Sequence, residues 1–340
     1  MTKIMKTLFV SIASLSLMFS AVNAGELAVS GTAKATYQVT NGAQQDNAIG
    51  ITNELNFTAS GEMDNGYAWS YSMELDPDST DGSALNDDTQ INLTMGDMGT
   101  VKICVSECGN GKEYAWDASV YTSMSDTSYS PGITYPGSAA SYASLQYHTP
   151  ELPLASTVSI AYGQNKVDGQ SGNATVASGN SIEEYSLTSK PIDGLTVKAS
   201  YYDINDYDDG LTNETQLEEG GAYGAQYAYG NLTLGYGKSF KAPETTAAVT
   251  AGATTVEYYE NTGMSLAYVV NENLSVSYAR EEGERNFQTS STVSYDVELD
   301  SVQIAYSLGG ATLSIARGDY ENVSYANGVD AEETIVAMSF

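Results

Sequence analysis

The chain is poor in the residues that most enzymes use for chemistry. Among 340 residues there is one histidine, His148, and there are two cysteines, Cys104 and Cys108. A Ser-His-acid hydrolase would need that histidine beside a serine and a carboxylate, yet His148 precedes Thr149-Pro150 at the end of a strand-like run. No Gly-rich phosphate cradle is present, and no further His or second Cys pair completes a zinc site, so the reading is a protein that is not an enzyme and has no resident cofactor. Bases are scarce as well: 13 Lys and Arg stand against 43 Asp and Glu, a net charge of -30. Such a surface repels nucleic acid and draws cations. Long apolar runs are missing beyond residue 20, which excludes a membrane-spanning helix from the rest of the chain. A spanning strand needs only about ten residues with every second one facing lipid, so the mean hydropathy of -0.25 excludes no barrel.

The one apolar run that exists is at the start. Lys3 and Lys6 precede the apolar or small residues Thr7 to Ser20, which close on Ala21-Val22-Asn23-Ala24. A positive start, a short apolar middle and small residues at the cut predict a secretory signal peptide over 1–24, leaving 25–340 as one mature domain exported through the periplasm. Removing Lys3 and Lys6 leaves 11 bases against all 43 acids.

From Glu26 onward the pattern is period two. Leu27, Val29, Ala33, Tyr37 and Val39 alternate with Ser30, Thr32, Lys34, Thr36 and Gln38, a strand with one greasy and one polar face. About sixteen such runs follow one another, at 26–39, 50–62, 67–76, 89–96, 99–106, 142–149, 156–163, 182–190, 194–203, 221–229, 231–240, 257–269, 273–282, 292–307, 310–320 and 331–340. Val293, Tyr295, Val297 and Leu299 are odd while Val302, Ile304 and Tyr306 are even, which predicts a bulge near Asp300.

Connections alternate in length. Short turns such as Met63-Asp64-Asn65-Gly66, Ile192-Asp193-Gly194 and Leu308-Gly309-Gly310 carry the Gly, Asn and Asp of tight hairpins. Between them come long polar stretches at 40–49, 77–88, 107–141, 164–181, 204–220, 241–256, 283–291 and 321–330. A soluble sandwich would scatter its loop lengths, whereas an all-β transmembrane antiparallel barrel has one plain rim and one elaborated rim. Closure also removes strand edges, which lipid cannot hydrate. Tyrosines near strand ends, including Tyr67, Tyr162, Tyr202, Tyr227, Tyr229, Tyr236, Tyr268, Tyr278 and Tyr320, suit a girdle at the membrane interfaces.

The segment Glu107 to Ser141, about 35 residues without sustained alternation, is long enough to predict a function. It holds Tyr114, Trp116, Tyr121, Tyr129 and Tyr135 with Pro131 and Pro136, stiff residues that order against a wall. At its mouth, Cys104 and Cys108 are spaced for a small disulfide in an exported chain. If the strand runs on, alternation instead puts both on one face with the sulfurs too far apart, so the sequence leaves the bond open.

Three short stretches carry a resemblance. Gly25-Glu26-Leu27-Ala28-Val29-Ser30-Gly31, Gly96-Asp97-Met98-Gly99-Thr100-Val101-Lys102 and the final Ala337-Met338-Ser339-Phe340 are similar to general Gram-negative outer-membrane porins, of the acidic type found in alphaproteobacteria. The resemblance implies a sixteen-stranded barrel, a homotrimer in the outer membrane in contact with lipopolysaccharide, and a third long loop folded into the lumen. It also implies that Phe340 belongs to the barrel-insertion signal. The Pro-Glu-Phe-Gly-Gly element of enteric porins is missing from 107–141, so the third loop matches by position alone.

Sixteen strands enclose a bore too wide to select small solutes, and a loop folded inward is the physical means of narrowing it. Glu107, Glu113, Asp117 and Asp126 are the acidic candidates in that loop. Lys34, Lys102 and Lys198, at polar-facing strand positions, are the bases expected opposite them, while Arg280 and Arg317 share parity with outward apolar residues. The expected function is a water-filled channel for passive diffusion of small hydrophilic solutes and ions, with a preference for cations that is strongest at low salt. A substrate-specific channel and a loop-displaying adhesin or receptor barrel are the alternatives. The acidic stretch Asp203-Ile204-Asn205-Asp206-Tyr207-Asp208-Asp209-Gly210 leaves Ca²⁺ open, although its spacing does not fit the EF-hand order.

Overall fold

A computed structural model of the chain describes residues 26–42, 46–76, 85–105, 108–122, 131–166, 181–205, 216–245, 255–289 and 293–340. The expected leader over 1–24 lies outside them. Sixteen strands follow in order: β1 Glu26–Gly42, β2 Asp46–Glu62, β3 Ala68–Asp76, β4 Leu85–Thr94, β5 Thr100–Val105, β6 Tyr142–His148, β7 Thr157–Lys166 and β8 Ser181–Ile192. The second half is β9 Leu195–Asn205, β10 Glu219–Tyr229, β11 Leu232–Ala242, β12 Val256–Asn271, β13 Leu274–Phe287, β14 Val297–Ser307, β15 Thr312–Glu321 and β16 Ala331–Ser339. Each pairs with its chain neighbours, and β16 returns to β1 to close the barrel. Tyr37 lies opposite Val336 at that seam, and Phe340 N donates to Ala33 O at 2.9 Å, extending the ladder by one residue.

Closure answers the requirement that no amide be left unpaired in lipid. The short rim is built from tight turns, and Gly194 shows why glycine stands there. Its φ is 76°, and a Cβ at that position would lie 2.3 Å from Ala228 O.

Alternation sorts the side chains cleanly. Ile49, Ile51, Ile103, Leu145, Ile160, Tyr223, Tyr236, Met264 and Val302 are exposed on the outer face. Their neighbours Ser144, Gln146, Ser159, Glu184, Ser265, Ser277 and Gln303 are buried on the inner one. The polar side of this wall therefore faces the interior, the reverse of a soluble sheet.

Three sequence expectations need correction. The register of β14 with both neighbours runs unbroken through Asp300, so there is no bulge there. Val297 and Leu299 belong to the inner face and are fully buried in a cluster with Tyr320, Val323 and Tyr325, and the apparent phase change is a patch of apolar residues turned inward. Register shifts occur instead at Ser72/Glu74, Tyr142/Ser144, Ser189/Ile192, Val256/Tyr258 and Val269/Asn271. Tyr202 and Tyr320 are likewise 2 % exposed and inward, not part of a girdle, since their hydroxyls donate to Glu218 and Glu333.

The outward parity of Arg280 and Arg317 holds, and both are paired. Arg280 reaches Glu298 and Asp300 on β14, and Arg317 reaches Asp319 and, at 2.8 Å, Glu332 on β16. A cation between two carboxylates lets the outer face carry charge toward the loop rim without leaving a bare ion against lipid. Arg280→Ala should lower barrel stability by about 1 kcal/mol for each carboxylate left uncompensated. Thermal unfolding in detergent would show it, and adding Asp300→Asn should recover part of the loss.

Candidate functional site

The segment after β5 begins with a covalent staple. Cys104, fully buried near the end of β5, is bonded to Cys108, with the two Cα atoms 6.0 Å apart. β5 is described as far as Val105, and the bond itself answers the question the sequence left open. Gln146 Nε2 on β6 donates to Cys108 O at 2.7 Å, and Asn110 Nδ2 donates back to Gln146 Oε1 at 3.1 Å.

From there the chain visits one wall strand after another. Asn110 N donates to Glu184 Oε2 on β8 at 3.0 Å, and Lys112 N donates to Ser200 Oγ on β9 at 2.9 Å. Gln226 Nε2 on β10 donates to Asp117 O, and Ser265 Oγ on β12 donates to Trp116 O while accepting Ala118 N. Val120 N reaches Ser277 Oγ on β13, and Tyr121 N and Thr122 N share Gln303 Oε1 on β14. All of these wall partners occupy inner-face positions. Small or flexible polar side chains suit the task, because each must satisfy backbone groups of a segment that makes no ladder of its own.

Residues 131–141 come back along a second line. Ser324 N, in the connection after β15, donates to Pro131 O at 2.8 Å, and Asn261 Nδ2 on β12 donates to Thr134 O. Tyr135 OH donates to Glu281 Oε2 on β13 at 2.8 Å, with its ring 5.2 Å from that of Tyr114 on the outgoing line. Ala139 N ends on Glu184 Oε2, the same oxygen that receives Asn110 N, so one carboxylate ties both ends of the segment.

Trp116 is the anchor. It is 2 % exposed and lies in a seat formed by inner-face glycines on three adjacent strands. A Cβ on Gly263 would come within 2.0 Å of its ring, and one on Gly235 within 1.7 Å of its carbonyl oxygen. Gly224 and Gly237 complete the seat, each with about 3 Å between a built Cβ and Trp116.

The charged candidates are distributed unevenly. Glu107 and Asp126 lie outside the described residues, as does most of the acidic stretch considered for Ca²⁺, at 206–210. Glu113 is half-buried, and burial pushes its carboxyl above the usual range against the pull of the Lys112 ammonium. Asp117 caps its own turn, accepting Ser119 N at 2.9 Å. Lys34 faces inward from β1 with Nζ 5.9 Å from the centre of the Tyr121 ring.

Lys102 and Lys198 also face inward, but beside the outgoing line and not across from it. Lys102 is on the strand that leads into the segment, and Lys198 is two residues from Ser200, which holds Lys112. Sequence reasoning passed over Lys112 itself because it sits outside any alternating run. Burial lowers its ammonium most; Glu184 and Glu113 raise it, and Lys198 and Lys102 lower it. Also missed were the inward acids Glu184, Glu281 and Glu333, each 1–2 % exposed. Parity of the strand positions was the signal available for them.

Comparison with known proteins gives a consistent picture. A family model described as Gram-negative porin matches residues 11–339. No curated protein matches. Among solved structures, a porin refined at 1.8 Å resolution superposes with a TM-score of 0.63 at 17% identity over 92% of this chain and 100% of its own. The OmpF of Salmonella typhi in complex with daunomycin gives 0.66 at 15% identity, over 93% and 98% of the two chains. An anion-selective porin from Comamonas acidovorans gives 0.64 at 12% identity, over 92% and 99%.

Proposed function

The chain belongs to the Gram-negative porin family, outer-membrane channels for small solutes that carry out no catalysis, and from that premise we propose a water-filled diffusion pore narrowed by residues 107–141 and preferring cations. The observation that carries this reading is the docking of 108–122 and 131–141 onto inner-face side chains of β6, β8 to β10 and β12 to β14. A segment so held occupies part of the bore, and a narrow aqueous passage between low-dielectric walls amplifies the field of any charge beside it. Asp117 and Glu113 on the segment, with an excess of acids over bases in the whole chain, favour cations.

We also propose a homotrimer. On β1 to β7 the outer face carries no charged side chain among the described residues, and Ile49 and Ile51 are 83% and 69% exposed. On β8 to β16 the same face bears Glu183, Glu219, Lys238, Arg280 and Arg317 toward the loop rim. An uncharged sector suits a neighbouring copy, and a charged collar suits the lipopolysaccharide head groups, with divalent ions bridging acids to phosphate.

The test is the reversal potential across a salt gradient in a planar bilayer. Wild type should favour cations, more so at low salt, and Asp117→Asn should reduce the potential. Lowering the pH should remove the Glu113 contribution earlier than that of an exposed glutamate, because a raised carboxyl pKa brings protonation on at higher pH. Wild type and Glu113→Gln should therefore converge as the pH falls, sooner than they would for an exposed glutamate. An unchanged potential in Asp117→Asn would overturn the assignment of that residue. A bilayer that stays silent would instead favour a plugged barrel displaying its loops as an adhesin.

A further inference from the structure

The connection after β15 turns into the barrel, where Val323 and Tyr325 are buried against the inner-face residues Val297, Leu299 and Tyr320. Its backbone is strained there. Asn322, Ser324 and Tyr325 have φ of 52°, 57° and 61°, the left-handed region that residues other than glycine enter at a cost, and a bulky tyrosine least readily of the three. Local bonds hold the turn together: Val323 N donates to Val329 O at 2.7 Å, Ala326 N to Asn322 O at 3.2 Å, and Gly328 N to Asn322 Oδ1 at 3.0 Å. A backbone of this kind persists only where its surroundings over-determine it, and it is met at clamps and switches.

The surroundings here include the returning limb of the long segment. Ser324 N donates to Pro131 O at 2.8 Å, and Thr134 N donates to the Tyr325 hydroxyl at 3.2 Å. Gly132, with a φ of 79°, comes so close that a Cβ on it would lie 2.4 Å from Ser324 Oγ and 2.8 Å from Ser324 Cα. Ile133 packs on the same buried cluster as Tyr325. From the other side the Tyr325 ring meets the Tyr259 ring at 5.6 Å and the Arg285 guanidinium at 4.8 Å. The wall supplies the remaining hold, with Asn261 taking Thr134 O and Glu281 taking the Tyr135 hydroxyl. The outgoing line thus hangs on wall side chains, whereas the returning line is gripped between the wall and a second connection.

We propose that 322–330 is a latch on the constriction, with Ser324 and Tyr325 as positioning residues that hold 131–134 and so set the width of the passage from the loop rim. The latch deepens the channel reading and rests on it. Its strain has a consequence: a released connection regains ordinary backbone conformations, so the gain on release offsets part of the lost contacts and the passage has two accessible widths.

The experiment is single-channel recording on the full protein and three variants. Tyr325→Phe keeps the ring in the cluster and deletes the acceptor of Thr134 N, so the ratio of latched to released passage should fall about five-fold, seen as brief upward current steps. Tyr325→Ala also empties the cluster and should hold the passage mostly at the wider level. Ser324→Gly keeps the backbone N–H and relieves the left-handed strain, so upward steps should become rarer than in wild type. Heat-modifiable migration should be unchanged in Tyr325→Phe, which separates release of the limb from loss of the barrel. Hydrogen exchange in detergent gives the local readout: the Thr134 amide should lose protection in Tyr325→Phe, while Val120 N, bonded to Ser277, keeps its own. Wild-type currents in both Tyr325 variants would overturn the latch, whether or not Thr134 loses protection. Were wild type silent in the bilayer, the channel reading would fail instead. The grip would then be judged by exchange alone, upheld by faster exchange over 131–134 in both Tyr325 variants and overturned by unchanged exchange.

Discussion

Trp116→Ala is expected to raise the single-channel conductance and its noise while leaving the barrel folded. The side chain lies against Gly237 and Gly263 of the wall, while Gly224 and Gly235 leave room for its backbone. Removing a buried indole costs about 3–5 kcal/mol. Because the loss falls on the docking of one segment, the ratio of docked to released segment should drop roughly a hundred-fold or more. The strand ladders lose no hydrogen bond, so heat-modifiable migration of the intact barrel should persist. Gly263→Ala should also release the segment, since its new Cβ would overlap the ring. In the Trp116→Ala background the same change should be nearly silent, a non-additivity that ties both effects to one contact. Equal conductance in wild type and Trp116→Ala would show that the segment does not define the bore.

Breaking the staple should have the second largest effect. Cys104→Ser with Cys108→Ser opens a ring of five residues, a loss of about 2 kcal/mol by the chain-entropy relation. The neighbouring bonds from Gln146 to Cys108 O and from Asn110 to Glu184 depend on where the chain leaves β5, so the origin of the segment should loosen with it. Expected readouts are a lower unfolding temperature and frequent brief current steps. Reductant should bring wild type toward the variant and leave the variant unchanged, because the chain has no other cysteine. Identical traces in the two proteins would remove the disulfide from any part in shaping the passage.

Much of the wall was readable from residue order because a membrane barrel writes its geometry in period two. Leu27, Val29, Tyr37 and Val39 could face only one way, and pairing then fixed Thr32, Lys34 and Gln38 on the other side. The same rule failed where the interior is itself apolar. Val297 and Leu299 look like lipid-facing residues by chemistry, yet they face inward against Tyr320 and Tyr325, and the mismatch imitated a bulge. Tyr202 and Tyr320 misled for a related reason: a tyrosine can serve a membrane interface or a buried carboxylate equally well, and only its partner distinguishes the two.

The long segment was harder. Its aromatics announced that it would order, but nothing local says that Trp116 meets Gly263, almost 150 residues later, or that Glu184 holds both Asn110 and Ala139. Lys102 and Lys198 were placed on the inner face correctly by parity, and yet parity gives no position around the circumference. They were therefore expected across from the segment when they stand next to it.

Residue order alone determined the number of strands, their inner and outer faces, the rim with short turns and the place where the chain departs from the wall, since each follows from near neighbours along the chain. The tertiary structure decided which inner-face groups hold that departing segment, which lysines gather beside it and which acids it covers. Those contacts join residues brought together only when β16 meets β1, and closure is a property of the whole sheet that no stretch of the sequence contains.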